Sequence, residues 1–135
     1  MGSERNSGTQ EEGACGQMKK KDNRAKKIGF IEPSLKKAFE ELKNGKFEDQ
    51  QLAKFLNRSM EDLLQNPLCG IHVPTNLWPK EYIQKYRINN LHKYDLPNGW
   101  RLLYTLRGNE IEILSILIEW ISHKEYERKF KYKRS

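Results

Sequence analysis

Cysteine is nearly absent from this chain. Cys15 and Cys69 are the only two, and neither sits in the paired spacing that a zinc site or a disulfide framework needs. That argues against a stapled secreted scaffold and suits a reducing compartment. Also missing is any apolar run long enough to span a bilayer. The N-terminus lacks the apolar stretch of a secretory signal, so a cytoplasmic protein with no membrane partner is expected. No phosphate-cradling GxxxxGK[ST] loop, Gly-rich dinucleotide turn or HExxH pair occurs, so neither a cofactor nor a metal is expected. Apolar residues make up 36% of the chain, enough for a small core, and the shortfall lies mostly at the two ends.

What is abundant is positive charge. The formal net charge is +7 over 135 residues, which points to an anionic partner: nucleic acid, an acidic protein or a membrane surface. The length permits one domain and a tail. Residues 1–17 are rich in Gly, Ser, Glu and Asn and are expected to be disordered. Met18 opens a Met-Lys-Lys-Lys run that resembles a natural start, a reading that mass spectrometry of the native N-terminus would test. The expected division is a polar and basic tail over 1–26 and a folded domain over 27–132.

Within that domain, Ile28–Ile31 reads as a first strand ended by Pro33. Leu35, Ala38, Phe39 and Leu42 fall on one helical face, with Ser34 as a possible cap and Asn44-Gly45 as the stop. A second helix from near Glu48 carries Leu52, Phe55, Leu56, Met60, Leu63 and Leu64 at the same period and stops at Asn66-Pro67. Joined by a short loop, the two helices should form an antiparallel hairpin that needs a sheet to cover. From Leu68 to Gln84 prolines break the pattern, although Trp78–Tyr82 could open one helical turn. Ile88–Leu96 reads as a strand, Pro97-Asn98-Gly99 as a turn that accepts positive φ, Trp100–Arg107 as a strand, and Gly108-Asn109 as a second turn. Ile111–Ile118 is almost wholly apolar, the pattern of a central strand covered on both faces. Ser122-x-x-Glu125 has capping-box spacing, which starts a last helix at His123 running to about Tyr132. The fold class is therefore α+β: an N-terminal strand and helical hairpin packed on a small antiparallel sheet, with a C-terminal helix.

Alternation on the Trp100 strand puts Trp100, Leu102, Tyr104 and Leu106 on one face and Arg101, Leu103 and Thr105 on the other. Arg101 is then either a solvated arginine or a guanidinium able to grip phosphate bidentately. His123 falls at the first turn of the last helix, where unpaired N–H groups favour an anion and an imidazole can move a proton. Alternatively it is an exposed histidine without a task. Tyr126 shares its face, as a second site residue or as a packing aromatic. His72 and His92 have no ligand partner at useful spacing. Basic residues crowd Lys19–Lys27 and the C-terminus, where Lys124, Arg128 and Lys129 interleave with Tyr126, Phe130 and Tyr132. That mixture raises the case for RNA contact. RNA can be cut without a metal, because a ribose 2′-OH can attack its own phosphodiester when a base, an acid and phosphate-binding cations are provided.

The order of elements, the Gly-Trp-Arg-Leu-Leu-Tyr strand (Gly99–Tyr104), the Tyr-Arg-Ile-Asn-Asn-Leu segment (Tyr86–Leu91) and the terminal Ser-His-Lys-Glu-Tyr helix resemble the RelE/ParE superfamily of toxin–antitoxin toxins. The likeness is strongest to its RelE-like mRNA interferases of archaea and bacteria, and it covers roughly Ile28 to Phe130. It implies a compact antiparallel sheet flanked by helices, cleavage of mRNA in the ribosomal A site, and neutralisation by a partner antitoxin. By the same resemblance Arg101 falls on the strand arginine that steadies phosphate, and Arg87 on a basic strand position. His123, Lys124 and Tyr126 fall in the segment supplying acid/base and orienting groups. Arg101, His123 and Tyr126 are then the catalytic expectation, and Arg87, Lys124, Arg128 and Lys129 the RNA-binding one. Two departures stand out: Asn89 occupies the place of a second strand lysine, and the Leu68–Tyr86 connection is long. Three readings stay open: a ribosome-dependent endoribonuclease toxin, a non-catalytic RNA- or ribosome-binding domain on the same scaffold, and an inhibitor of DNA gyrase.

Overall fold

The computed structural model describes residues 23–130. The N-terminal tail through residue 22, the Met18 start and the helix end at Tyr132 lie outside the described residues. Five strands form one sheet in the order β1-β5-β4-β3-β2: β1 (Ala25–Phe30), β2 (Ile71–His72), β3 (His92–Asp95), β4 (Arg101–Gly108) and β5 (Glu112–Ile121). The α1 (Pro33–Lys43) and α2 (Phe47–Gln65) hairpin follows β1, and α3 (His123–Phe130) follows β5. The α+β class holds. The sheet is antiparallel from β2 to β5, but β1 joins β5 in parallel, because α1 and α2 carry the chain back before the meander starts.

Two cores flank the sheet. On one side Phe39, Leu52, Ala53, Leu56 and Leu63 of the hairpin pack on Leu102, Tyr104 and Leu117. On the other, Leu103, Ile118 and Ile121 pack beneath Tyr126 and Phe130 of α3 and beneath Val73, Tyr82, Ile88 and Leu91 of the long connection. β5 thus contributes to both cores, which explains its unbroken apolar run. The connection between α2 and β3 is long because it builds half of the second core.

Several boundaries move for local reasons. β1 begins at Ala25, before the expected tail boundary, since Lys26 and Lys27 pair in register with Ile113 and Leu114; Lys27 also meets Glu112 at 2.9 Å. α1 is opened by Pro33 at its first turn, after Glu32, with no side-chain cap from Ser34. The strand expected from Ile88 is regular only over His92–Asp95. Upstream of it the Asn90 side chain replaces a backbone partner, accepting from Leu106 N–H and donating to Leu106 C=O, both at 2.8 Å. The turn after β4 is longer than Gly108-Asn109, because Asn109 Oδ1 accepts from the N–H groups of Ile111 and Glu112.

The β4–β5 ladder carries a bulge. Leu103 pairs with Glu119 and Tyr104 with Leu117, so Ile118 is an extra residue on β5. Ile118 and Glu119 consequently both face the α3 side, where Glu119 accepts from Tyr82 Oη and, at 2.8 Å, from Lys129 Nζ.

Candidate functional site

The β4–β5 register places Arg101 opposite Ile121, two residues before His123 in sequence. Ser122 starts α3 there: its Oγ accepts from Glu125 N–H at 3.2 Å and its carbonyl from Tyr126 N–H at 2.8 Å. This is one arm of the expected capping box, as the Glu125 carboxylate pairs with Arg128 instead. At the other end of the site, Asn98 and Gly99 both take positive φ, 64° and 81°, to close the β3–β4 hairpin. The carbonyl of Gly99 accepts from Arg101 Nη1 at 2.8 Å.

The structure brings Arg101, His123 and Tyr126 together. Arg101 Nη2 lies 3.2 Å from His123 Nδ1, and its guanidinium sits 5.1 Å above the ring of the buried Tyr126. Because arginine has no acceptor, Nδ1 takes the hydrogen bond and the neutral imidazole carries its proton on Nε2. Nε2 faces Glu127 Oε2 at 3.1 Å, one helical turn on. The result is a chain of contacts, Arg101–His123–Glu127, open to solvent at the imidazole.

The remaining expected residues separate. Lys124 is exposed beside His123, with no ion pair or side-chain hydrogen bond among the described residues. Arg128 is exposed and tied to Glu125. Lys129 is turned away from solvent and bridges Glu81 at 3.0 Å and Glu119 at 2.8 Å. Burial pulls its ammonium down, yet hydrogen bonds to Glu119 and Glu81 and their charges outweigh burial and hold its pKa above the usual lysine value. It works as a structural bridge and leaves no free cation for phosphate. Arg87 lies on no strand. It ends the π-helical turn Tyr82–Tyr86 in the left-handed region, φ 53°. Arg107 Nη2 donates to the neighbouring Tyr86 carbonyl at 3.0 Å, so Arg87 belongs to the Arg107 end of β4 and is not gathered with Arg101.

Three residues join the site that the sequence reading passed over. Lys93 and Asp95 share the α3-facing side of β3, and Asp95 stands directly across from Arg101. Asp95 Oδ1 lies 3.0 Å from Lys93 Nζ and 3.1 Å from Arg101 Nε. Lys93 Nζ is 5.5 Å from the Tyr126 ring centre, so two cations share one aromatic floor. The third is Glu127. Each left a signal: alternation along His92–Asp95 across a short hairpin, and four-residue spacing from His123.

Elsewhere, His92 stacks on Tyr104 at 5.3 Å between ring centres and meets His72 edge-on at 5.7 Å. Burial first, and the neighbouring His72 second, push its pKa down to about 4. Burial, followed by the charge and hydrogen bond of Glu119, raises the Tyr82 phenol far above its ordinary value. Among the described residues no group of three or more His, Cys, Asp and Glu side chains converges as a metal ion would require. None of the described helices is long and apolar enough to cross a membrane. Comparison with protein-family models, curated proteins and solved structures finds no match to this chain.

Proposed function

We propose that this protein is the toxin of a toxin–antitoxin pair, an endoribonuclease that cuts mRNA on the ribosome by metal-free attack of a ribose 2′-OH. Its work would lie in the cytoplasm, with mRNA and the ribosome as targets and an antitoxin protein as its restraint. The observation that carries this reading is the contact of Arg101 Nη2 with His123 Nδ1 at 3.2 Å, an anion-binding group set against a proton-moving group.

The chemistry follows from which atoms are free. An arriving phosphate is a stronger acceptor for the guanidinium than an imidazole nitrogen. As the phosphate takes the Nη2 edge of Arg101, the Nδ1 lone pair is released. Nδ1 then takes the 2′-OH proton as O2′ bonds to phosphorus and the P–O5′ bond breaks. Glu127, accepting from Nε2–H, steadies the imidazolium so formed. The imidazolium gives its proton, through solvent, to the departing 5′-oxygen. The products are a 2′,3′-cyclic phosphate and a 5′-hydroxyl. Arg101, Lys93 and Lys124 offset the charge that grows on the phosphate oxygens. Tyr126 supplies the floor on which the cations sit, and its burial suits support better than proton transfer. Acid–base assistance of this kind accelerates a reaction by about 10²–10⁴-fold, and a well-placed oxyanion partner by about 10²–10³-fold.

A second reading, an RNA- or ribosome-binding domain without cleavage, is favoured by a different observation: Arg101 and Lys93 are already engaged by Asp95. The deciding experiment is cleavage of a defined mRNA in a translating in vitro system, comparing the natural chain with Arg101→Ala/His123→Ala. Ribosome-dependent cuts with cyclic-phosphate ends that vanish in the variant are the expected result. Intact mRNA with the natural protein would overturn the nuclease reading, and DNA damage alongside it would direct attention to gyrase.

A further inference from the structure

We propose that Asp95 is an internal stand-in for a substrate phosphate, and that it sets the selectivity of the site by competing with that phosphate for Arg101 and Lys93. The inference rests on the reading of this site as one that receives an RNA phosphate.

The geometry distinguishes the fixed partners from the replaceable one. The side chains of Lys93 and Arg101 are 16% and 17% exposed, whereas that of Asp95 is 48% exposed. The two cations are held over the Tyr126 ring, and Arg101 is further tied to the Gly99 carbonyl. Asp95, at the last position of β3 before the hairpin turn, can swing its carboxylate into water at little cost, as exposed carboxylates do. The Arg101–Asp95 contact is also incomplete. Arg101 Nε is buried and donates no hydrogen bond, although Asp95 Oδ1 stands 3.1 Å away. A buried donor left in that condition favours a better acceptor.

Nε and Nη2 form one edge of the guanidinium, an edge that grips phosphate with two parallel N–H groups. Here Asp95 caps Nε and His123 Nδ1 caps Nη2. Both caps must leave for a phosphate to seat on that edge. A free phosphate or a mononucleotide gains only Arg101 and Lys93 in exchange for Asp95, one anion for another. A polynucleotide brings flanking phosphates to the exposed Lys124 as well, and so gains contacts that Asp95 does not cancel. Asp95 therefore sets a threshold that a polyanion clears and a small anion does not, and it keeps Arg101 aligned between binding events.

The test uses the full chain and a labelled oligodeoxynucleotide, which lacks the 2′-OH and cannot be cut by this chemistry. Affinity is measured over a salt series for the natural protein, Asp95→Asn and Asp95→Ser, with inorganic phosphate as competitor. The expected result is about tenfold tighter oligonucleotide binding in both variants. The slope of log affinity against log salt should change by less than the about 0.7 that a further phosphate contact to a single strand would add, because the same phosphate seats in each chain. Phosphate should compete measurably only in the variants, and Lys93→Met should remove part of the gain when added to Asp95→Asn. Unchanged or weaker binding in both variants, with unchanged circular dichroism, would overturn the proposal. The nuclease reading fails separately. Tighter variants of a protein that cuts no mRNA would leave the role of Asp95 standing, and a cutting enzyme with indifferent variants would remove that role alone.

Discussion

A Cβ placed on Gly99 would lie 3.2 Å from the Cβ of His123. The hairpin turn and the first residue of α3 are thus in direct contact, and the turn is part of the wall that sets His123 against Arg101. Gly99 is also at φ 81°, a conformation that costs an L-residue about 1–2 kcal/mol. Gly99→Ala should therefore lower stability by about that amount and displace His123 by a few tenths of an ångström. We expect cleavage to fall by more than the loss of folded protein explains, measured as turnover at a temperature where circular dichroism shows the variant fully folded. Turnover equal to the natural protein would show that the imidazole position is not critical.

Glu127 separates orientation from stability. Its pair with His123 is open to water, with side chains 61% and 56% exposed, and exposed pairs contribute about 0–1 kcal/mol. Glu127→Gln should leave the melting temperature nearly unchanged. As a weaker acceptor for Nε2–H and a weaker partner for the imidazolium, it should slow cleavage by about tenfold or more, through the rate constant and not through RNA affinity. Equal losses in affinity and rate would instead make Glu127 part of the RNA contact.

Four of the five strands and the three α-helices were legible because their patterns have fixed periods, whereas the two residues of β2 are too short to show one. The α2 stripe from Leu52 to Leu63, the Asn98-Gly99 turn and the alternation from Trp100 to Leu106 each translate directly into local structure, while Leu64, expected on the same stripe, is exposed at the edge of the hairpin. The Arg101–His123 contact follows from them, since a tight hairpin and a helix starting right after β5 leave few other places for either residue. Two kinds of feature were not legible. The bulge at Ile118 has no mark in a continuous apolar run, and it alone turns Glu119 toward α3, where it claims Lys129. The fate of Arg87 depended on Asn90, whose amide imitates backbone and lets the chain leave the sheet before β3. Periodicity reports where side chains point and says little about which charges pair, so nothing in it ties Lys93 and Asp95 to Arg101.

Lys129, a cation that binds the fold, contrasts with Lys124, the cation proposed to meet RNA. It bridges Glu81 and Glu119, and Glu119 also accepts from Tyr82. Removing the lysine leaves a partly buried carboxylate short of its countercharge. Lys129→Met should lower stability by about 1–3 kcal/mol, below the 3–5 kcal/mol seen when a fully buried pair is broken, and should leave oligonucleotide affinity of the folded protein within about twofold. The complementary Lys124→Met should weaken oligonucleotide binding and reduce its salt dependence without affecting thermal unfolding. Reversed outcomes for the two variants would place Lys129 on the RNA surface after all.

His92 gives the fold a pH dependence of known sign. Its ring is packed on Tyr104 beside His72, and burial with the neighbouring imidazole lowers its pKa from 6.5 to about 4. Between those values the unfolded chain binds more protons than the folded one, so stability rises with pH. The contribution of the neutral ring is complete above pH 6.5 and is lost as pH falls through that window toward about 4. Its size, reduced for the partial exposure of the ring, is on the order of 1–2 kcal/mol. His92→Phe keeps a ring against Tyr104 and has no proton to bind. Its melting temperature should fall less steeply than that of the natural protein between pH 7 and pH 4.5, while the two chains behave alike above pH 7. Parallel curves across the whole range would show that His92 is protonated as readily in the fold as outside it, and that the acid sensitivity belongs to the carboxylates.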